Sequence, residues 1–340
     1  MLDVLRSGFL VQGLQVAAFE VAIVKRTGAA HAVAVSSGTA ALHLALWSLG
    51  VGRGDEVVVP ALTFPAPANV VAALGATPIF ADVEPDTWNV SARTVGAVMG
   101  SRTKAVVVVD QFGVPADLPG IARAVSVPLI EDAACALGSS FDGRFCGALA
   151  PIATLSFHPR KVVTTGEGGM VLCEGQAFAD RIVGLRNHGM AFLPPYSAPG
   201  LNYRMPEVCA AMGRVQLERL DGFLEARAAI AEIYASELEL TTQRALPASR
   251  VNHQTYGVLL PEGTGVSDRD RVVVNLRSRG VEAQILSFAN NSLPAFAPAG
   301  QKAPVAESIA ARGIALPLHP AMSREDAKKV VATVREVIER

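Results

Sequence analysis

Short apolar runs alternate with helix-like stretches along the first two thirds of the chain. Residues 56–60, 77–82, 105–110 and 127–131 each form a run that is apolar on both faces, which is typical of parallel strands covered by helices on each side. Between the runs lie helical patterns such as 39–49, closed by Gly50, where glycine commonly ends a helix. The alternation predicts an α/β fold with a parallel sheet and right-handed crossovers.

A second, smaller α/β unit is predicted towards the C-terminus. One long helix is expected from about 206 to 233, then a strand at 256–260, a helix at 268–278 and a strand near 281–286. The chain closes on an amphipathic helix, where Ser323 and Asp326 have the spacing of a capping box. We expect a large domain over 1–225 and a small C-terminal domain over 226–340, with the N-terminal segment a candidate to pack on the small domain.

Composition excludes several classes of protein. The 340 residues are 50% hydrophobic and 18% charged, with a formal net charge of −1, so bulk charge favours neither nucleic acid nor an anionic membrane. The four cysteines have no paired spacing, which indicates free thiols and no zinc site. No apolar run approaches the ~20 residues of a membrane span, and no secretory signal pattern is present. A cytoplasmic protein that binds no metal is expected.

The segment SSGTAAL at 36–42 follows a short apolar run at 32–35 and precedes a helical pattern. Small residues at a helix N-terminus allow close approach of a ligand, and the free N–H groups attract an anion such as a phosphate. An ordinary N-cap explains the same residues equally well.

Asp132 lies in IEDAAC, at the carboxyl end of a predicted interior strand. Open α/β sheets bind ligands at that edge, where a carboxylate could pair with a protonated ring nitrogen. The alternative is that Asp132 caps a following helix.

Lys161 ends SFHPRK and is followed by the glycine-rich TTGEGGM. A lone lysine is usually a solvated surface charge, but aromatic and proline residues and a tight turn flank this one. Such surroundings are unusual for an ordinary exposed face, and the three segments make more sense together than alone.

At this point the sequence resembles the DegT-type sugar aminotransferases, which belong to fold type I of the enzymes that use pyridoxal phosphate (PLP). The resemblance runs over nearly the whole chain and is carried by SSGTAALHLAL, GDEVVVPALTF, GATPIFADVEPDTWN, EDAACALGS, SFHPRKVVTTGEGGM, RNHG, LNYRMPE and LPLHPAMS. It implies a large domain with a mostly parallel sheet of the seven-stranded type. It also implies that Lys161 holds the cofactor as a Schiff base and that Asp132 pairs with the pyridine nitrogen. In this role Asp132 keeps the ring protonated, so that the ring acts as an electron sink.

The resemblance also implies further contacts. The cofactor contacts are Gly38, Thr39, Ala40 and Ser156 at the phosphate, Phe64 on the ring face, Cys135 near the phenolic oxygen, and Asn202 reaching into the neighbouring subunit. The substrate contacts are Leu10, His188, Arg204 and Asn291. Cys135 and the stretch 287–294 depart from the family pattern, which often has Gln or His at the first position and histidines in the second.

The implied reaction moves an amino group from L-glutamate, or less readily L-glutamine, to the keto group of a nucleotide-activated deoxysugar. The implied assembly is a homodimer with shared active sites. Two alternatives remain open: a PLP enzyme with a cyclitol or another keto compound as acceptor, and a non-catalytic PLP-fold regulator.

Overall fold

The computed structural model describes residues 1–191 and 194–338. Its strands are β1 His31–Val35, β2 Glu56–Pro60, β3 Leu62–Thr63, β4 Thr77–Ala81, β5 Thr103–Val109, β6 Leu129–Asp132, β7 Ser140–Phe141, β8 Arg144–Phe145, β9 Ile152–Ser156, β10 Gly169–Cys173, β11 Thr241–Thr242, β12 Ser249–Arg250, β13 Tyr256–Leu259, β14 Gln284–Ile285, β15 Phe288–Ala289 and β16 Gly313–Leu316.

The α-helices alternate with these strands. They are α1 Leu2–Ser7, α2 Leu14–Thr27, α3 Gly38–Ser48, α4 Ala66–Ala73, α5 Ala92–Gly96, α6 Leu118–Ala124, α7 Gln176–Arg186, α8 Glu207–Glu218, α9 Leu220–Glu237, α10 Val266–Ser278, α11 Pro304–Arg312 and α12 Arg324–Ile338. Among residues 1–191 and 194–338, none of them is both long and apolar enough to cross a bilayer.

Seven strands form the main sheet in the order β1-β10-β9-β6-β5-β2-β4. Strand β10 is antiparallel to both of its neighbours, and the pairs from β9 to β4 are parallel. The valines of β2 and β5 are fully buried because helices cover the sheet on both faces. The prediction of a mostly parallel sheet of seven strands is confirmed, and it places the carboxyl ends of the parallel strands along one edge.

A second sheet, in the order β11-β13-β16-β14, lies beyond α9. Helices α9, α10 and α12 cover it, and a separate apolar cluster runs from Ile230 to Val334. The capping box at the start of α12 is present: the Asp326 N–H donates to Ser323 Oγ, and the Ser323 N–H donates to Asp326 Oδ2, both at 3.1 Å. The division at residue 225 itself stays a prediction.

The prediction of a single helix over 206–233 is wrong. The structure has two helices, α8 and α9, which meet at Arg219 with φ −93° and ψ −2°. No glycine or proline marks the break. Helix α8 packs against α2, whereas α9 passes from Leu224 in the main core to Ile230 in the second cluster, so packing imposes a change of direction that local sequence does not signal. The first helix, α1, also contacts α8.

Candidate active site

The loop between β1 and α3 forms a cradle at a helix N-terminus. Ser37 Oγ accepts a hydrogen bond from the Ala40 N–H at 3.1 Å and so caps α3. A Cβ on Gly38 would lie 2.8 Å from Ser156 Cβ; the absence of that atom lets Ser156 approach the helix start. Thr39 is exposed and Ala40 is buried. The interpretation of this segment as an N-cap is therefore correct, and the capping bond engages the Ala40 N–H; the anion site stays a prediction.

Asp132 is the last residue of β6 and is only 5% exposed. Its Oδ1 accepts from the Ala134 N–H at 3.1 Å and from Thr154 Oγ1 at 3.4 Å. Burial raises the pKa of Asp132, and the nearby positive charge of Lys161 partly opposes that rise. Residues 134–138 form turns, so the alternative in which Asp132 caps a following helix is wrong.

Lys161 lies on a tight turn, and its side chain points towards the segment that follows Asp132. Its backbone N–H donates to His158 O at 2.8 Å, and its Nζ lies 3.1 Å from Cys135 Sγ. The side chain is half-buried. The structure thus brings an amine, a thiol and a buried carboxylate together at the carboxyl end of β6, the edge of an α/β sheet where ligands bind.

Phe64 follows β3 and is 67% exposed. Strand β3 pairs with β15 through Phe288 and Thr63, and Thr63 Oγ1 donates to Gln111 Oε1 at 3.3 Å. The backbone before Phe64 is therefore anchored while its ring is free to cover a ligand.

Asn202, His188 and Arg204 form a group of their own. Asn202 is exposed and pairs with Asn187 in an isolated bridge, and Arg204 Nη1 donates to Asn187 Oδ1. His188 is exposed and has a φ of +56°. The Tyr203 carbonyl accepts from the N–H of residue 36 at 2.8 Å, so this segment runs beside the loop that precedes α3 in its own chain. Asn202 is exposed, whereas Arg204 is half-buried and its Nε is buried.

Leu10 and Asn291 have different surroundings: Leu10 lies near the segment that carries Arg204, since Val11 pairs with Pro206 in an isolated bridge. Leu10 is 45% exposed, and its carbonyl accepts from the Glu207 N–H. Asn291 is 4% exposed, and its Nδ2 donates to Gln301 O and to Glu307 Oε1 at 2.6 Å. Its side-chain donors are thus directed into the protein interior, and the geometry gives no support to substrate contact by Asn291.

Three buried polar residues that the sequence analysis did not single out lie close together. Asp110, Glu131 and Cys146 each place one potential ligand atom within 4.8 Å of the others. Glu131 accepts three backbone N–H bonds from residues 147, 149 and 150, whereas Asp110 Oδ2 has no partner of that kind. Burial and the charge of Glu131 raise the pKa of Asp110 well above its usual value. A proton shared between the two carboxyl groups accounts for the arrangement. No local pattern signals it, because these residues come from separate segments.

Comparison with known proteins agrees with this geometry. The profile of the DegT/DnrJ/EryC1/StrS aminotransferase family matches residues 1–335. The chain is 34% identical over 330 residues to the GDP-perosamine synthase of Escherichia coli O157:H7, covering 96% of this chain and 90% of the relative. It is 37% identical over 331 residues to that of Caulobacter vibrioides, covering 94% and 89%.

Solved structures give the same result for the fold. The aminotransferase TlmJ from Streptoalloteichus hindustanus superimposes with a TM-score of 0.92 at 36% identity, over 99% of this chain and 94% of that one. Spr1654 from Streptococcus pneumoniae, solved in its PLP form, superimposes with a TM-score of 0.94 at 26% identity, over 99% and 94%. The chain belongs to the DegT/DnrJ/EryC1/StrS aminotransferase family, and the predicted family and fold class are confirmed.

Proposed function

We propose that this protein is a PLP-dependent aminotransferase that transfers an amino group from L-glutamate to the keto group of a nucleotide-activated deoxysugar. The observation that carries the proposal is the placement of Lys161 Nζ beside Cys135 and the buried Asp132, within a chain whose family match covers residues 1–335. The Streptococcus relative solved in its PLP form supports the choice of cofactor.

The residues present fit the three distinct ends of PLP. Its phosphate matches the start of α3, where the exposed Thr39 and the nearby Ser156 flank Gly38. The Ala40 N–H, which the resemblance implies as a further contact, donates to Ser37 Oγ. Its ring nitrogen matches Asp132, and its aldehyde matches the amine of Lys161. When bound, PLP supplies an electron sink next to the substrate's amino-bearing carbon.

The protein's own groups then hold and move protons. Asp132 keeps a proton on the ring nitrogen, because a buried carboxylate strongly favours a positive partner. The Lys161 amine, once released from the cofactor, is placed to carry a proton between carbon atoms of the substrate and the cofactor. Phe64 covers one face of the ring and helps to exclude water, and Cys135 contacts the lysine from the side.

A GDP-linked keto-deoxysugar is the first acceptor to test, because two relatives are named GDP-perosamine synthases. L-glutamate is the donor we propose. We also propose a homodimer in which Asn202 and Arg204 reach the partner's site, with Leu10 and His188 at its rim; the exposure of Asn202, Leu10 and His188 supports this. Cyclitol acceptors remain the alternative substrate class. A cytoplasmic location stays a prediction.

The test begins with the cofactor. Addition of PLP should give an absorption band near the visible edge, and borohydride reduction with peptide mapping should place the pyridoxyl group on Lys161. Lys161→Ala should lose the label and all turnover, whereas Lys104→Ala, which alters an exposed lysine, should lose neither. Label on another lysine would refute the assignment. Glutamate and a panel of nucleotide-linked ketosugars and cyclitols then identify the acceptor by mass spectrometry.

A further inference from the structure

Residues 252–254 connect β12 to β13 and lie against both segments that carry the proposed catalytic groups. They stand about a hundred positions beyond those segments in the chain, since the bonds described below span sequence separations of 117, 115 and 94 residues. None of the motifs that identify the family includes them. The side-chain amides of Asn252 and Gln254 donate to backbone carbonyls, so these bonds fix the positions of the two segments and do not depend on the side chains of Cys135, Leu137 and Arg160.

Asn252 holds the turn that follows Asp132. Its Nδ2 donates to Cys135 O at 2.8 Å and to Leu137 O at 3.0 Å, and its own N–H donates to Ser139 Oγ at 3.0 Å. The residue is only 1% exposed, so these bonds form away from water, where an unmade bond is costly. The turn from Cys135 to Ser139 is thereby tied to the second half of the chain.

Gln254 holds the turn that carries Lys161. Its Nε2 donates to the carbonyl of Arg160, the residue directly before Lys161, at 2.9 Å. Two further bonds orient the glutamine: its N–H donates to Asn252 Oδ1 at 2.9 Å, and its Oε1 accepts from Thr255 Oγ1 at 2.9 Å. Asn252 and Gln254 are thus joined directly, and together they link the two catalytic segments.

Arg227 of helix α9 keeps this connector in place. Its Nη1 donates to the carbonyls of His253 at 3.1 Å, Gln254 at 3.3 Å and Leu318 at 3.0 Å. Burial lowers the pKa of Arg227 to about 10, so it stays charged at neutral pH. His253 has a φ of +48°, a strained conformation for a residue other than glycine, which the surrounding hydrogen bonds stabilise.

We propose that Asn252 and Gln254 are positioning residues that fix Lys161 relative to Asp132; the inference rests on the proposed function. The amine must meet the aldehyde of a cofactor whose ring nitrogen is held by Asp132, so the spacing of the two segments has to match one rigid molecule. A misplacement of about 1 Å at such a site can slow a reaction by about a hundredfold. Hydrogen bonds from a third segment to both turns supply that spacing.

The test compares Gln254→Met with Gln301→Met. Both glutamines are half-buried, and each Nε2 donates to one backbone carbonyl. Gln301 binds Pro78 O and also accepts from the Phe80 N–H at 2.7 Å, so its bonds hold strand β4 and not the lysine turn. Gln254 is chosen because a change at the fully buried Asn252 risks loss of folding. Cofactor-free protein is mixed with PLP, and the rate of Schiff-base formation, in which the lysine amine joins the aldehyde carbon and water leaves, is followed by stopped-flow absorbance.

Gln254→Met should slow Schiff-base formation by about tenfold or more and should shift the pH at which the bound cofactor's visible band changes. Gln301→Met should do neither, although it also removes the acceptor of the Phe80 N–H and should therefore lower the thermal midpoint at least as much as Gln254→Met does. Wild-type rate and band titration in Gln254→Met would overturn the positioning role. If wild-type protein itself attached no PLP to Lys161, the proposed function would fail instead, so the two failures are distinct.

Discussion

Asp132→Asn tests the centre of the proposed mechanism, because the substitution removes the charge and little else. The amide oxygen can still accept from the Ala134 N–H and Thr154 Oγ1, now at 3.1 and 3.4 Å. A neutral hydrogen bond is worth about 1 kcal/mol, so the free energy of unfolding should change by no more than about that amount. For a chain of this size that corresponds to a shift in Tm of about 3 °C or less.

Turnover should fall much further. Without the carboxylate the ring nitrogen of bound PLP stays largely unprotonated, and the electron sink on which the chemistry depends is lost. We expect a loss of at least about a hundredfold in kcat, which is about 2.7 kcal/mol on the barrier. The assay is steady-state kinetics beside thermal unfolding monitored by circular dichroism, each with saturating PLP.

Asp117→Asn is the matched control for Asp132→Asn. Asp117 Oδ1 accepts from the Gly120 N–H at 2.8 Å and caps α6, so it has the local structural role that Asp132 would have if it served only to order its turn. Asparagine is a good cap, and this variant should keep both stability and turnover. If Asp132→Asn behaved like Asp117→Asn, with near-normal kcat, the assignment of Asp132 to the ring nitrogen would be refuted.

Three further predictions concern other parts of the molecule. Cys135→Gln should change kcat by less than about tenfold, or about 1.4 kcal/mol, because glutamine can still contact Lys161; an inactive variant would contradict this. Asp110→Asn should lessen the fall in stability with rising pH. A carboxyl group whose pKa is raised in the folded state loses its stabilising contribution as the pH rises from the usual pKa of 3.8 through the folded pKa. Tm measured as a function of pH checks this prediction. Lys161→Ala mixed with an Asn202→Ala/Arg204→Ala double mutant should regain up to about a quarter of wild-type activity if the sites are shared across a two-fold axis, and no recovery despite subunit exchange would place these residues in one subunit's site.

The strands of the main sheet were predictable because each is a buried run with its own boundary. Runs at 56–60 and 105–110 correspond to β2 and β5 to within two residues, since strands covered on both faces need no partner-specific pattern to be apolar. The end of helix α3 was predictable from Gly50, which has a φ of +73° in the structure. The break at Arg219 could not be predicted, because it follows from the position of a second core that lies elsewhere in the chain.

The candidate site also has parts that could be predicted from the sequence and parts that could not. Lys161, Asp132 and the Gly38 loop lie in short motifs, so sequence could nominate them, and the fold brings them to one edge of the sheet. Asn291 was nominated by position within a family pattern that this chain does not follow, and its amide is engaged with Glu307. The proximity of Asp110 and Glu131 could not be predicted without the register of β5 and β6. Glu131 and Asp132 are adjacent in sequence but point to opposite faces of one strand, so the sequence alone does not say which of the two faces Asp110.

Residues that contact a cofactor and residues that position those contact residues differ in how they can be recognised from sequence. A contact residue is restricted by the chemistry of one ligand, so its neighbours recur as a motif. The side-chain amides of Asn252 and Gln254 donate to backbone carbonyls, which every residue provides, and those carbonyls lie 94 or more positions away. Their role therefore leaves no local signature and is visible only in the folded chain. It follows that moving the SFHPRK and IEDAAC segments together into another α/β chain would transfer the amine and the carboxylate but not the spacing between them, and the recipient should bind PLP without forming the Schiff base at the native rate.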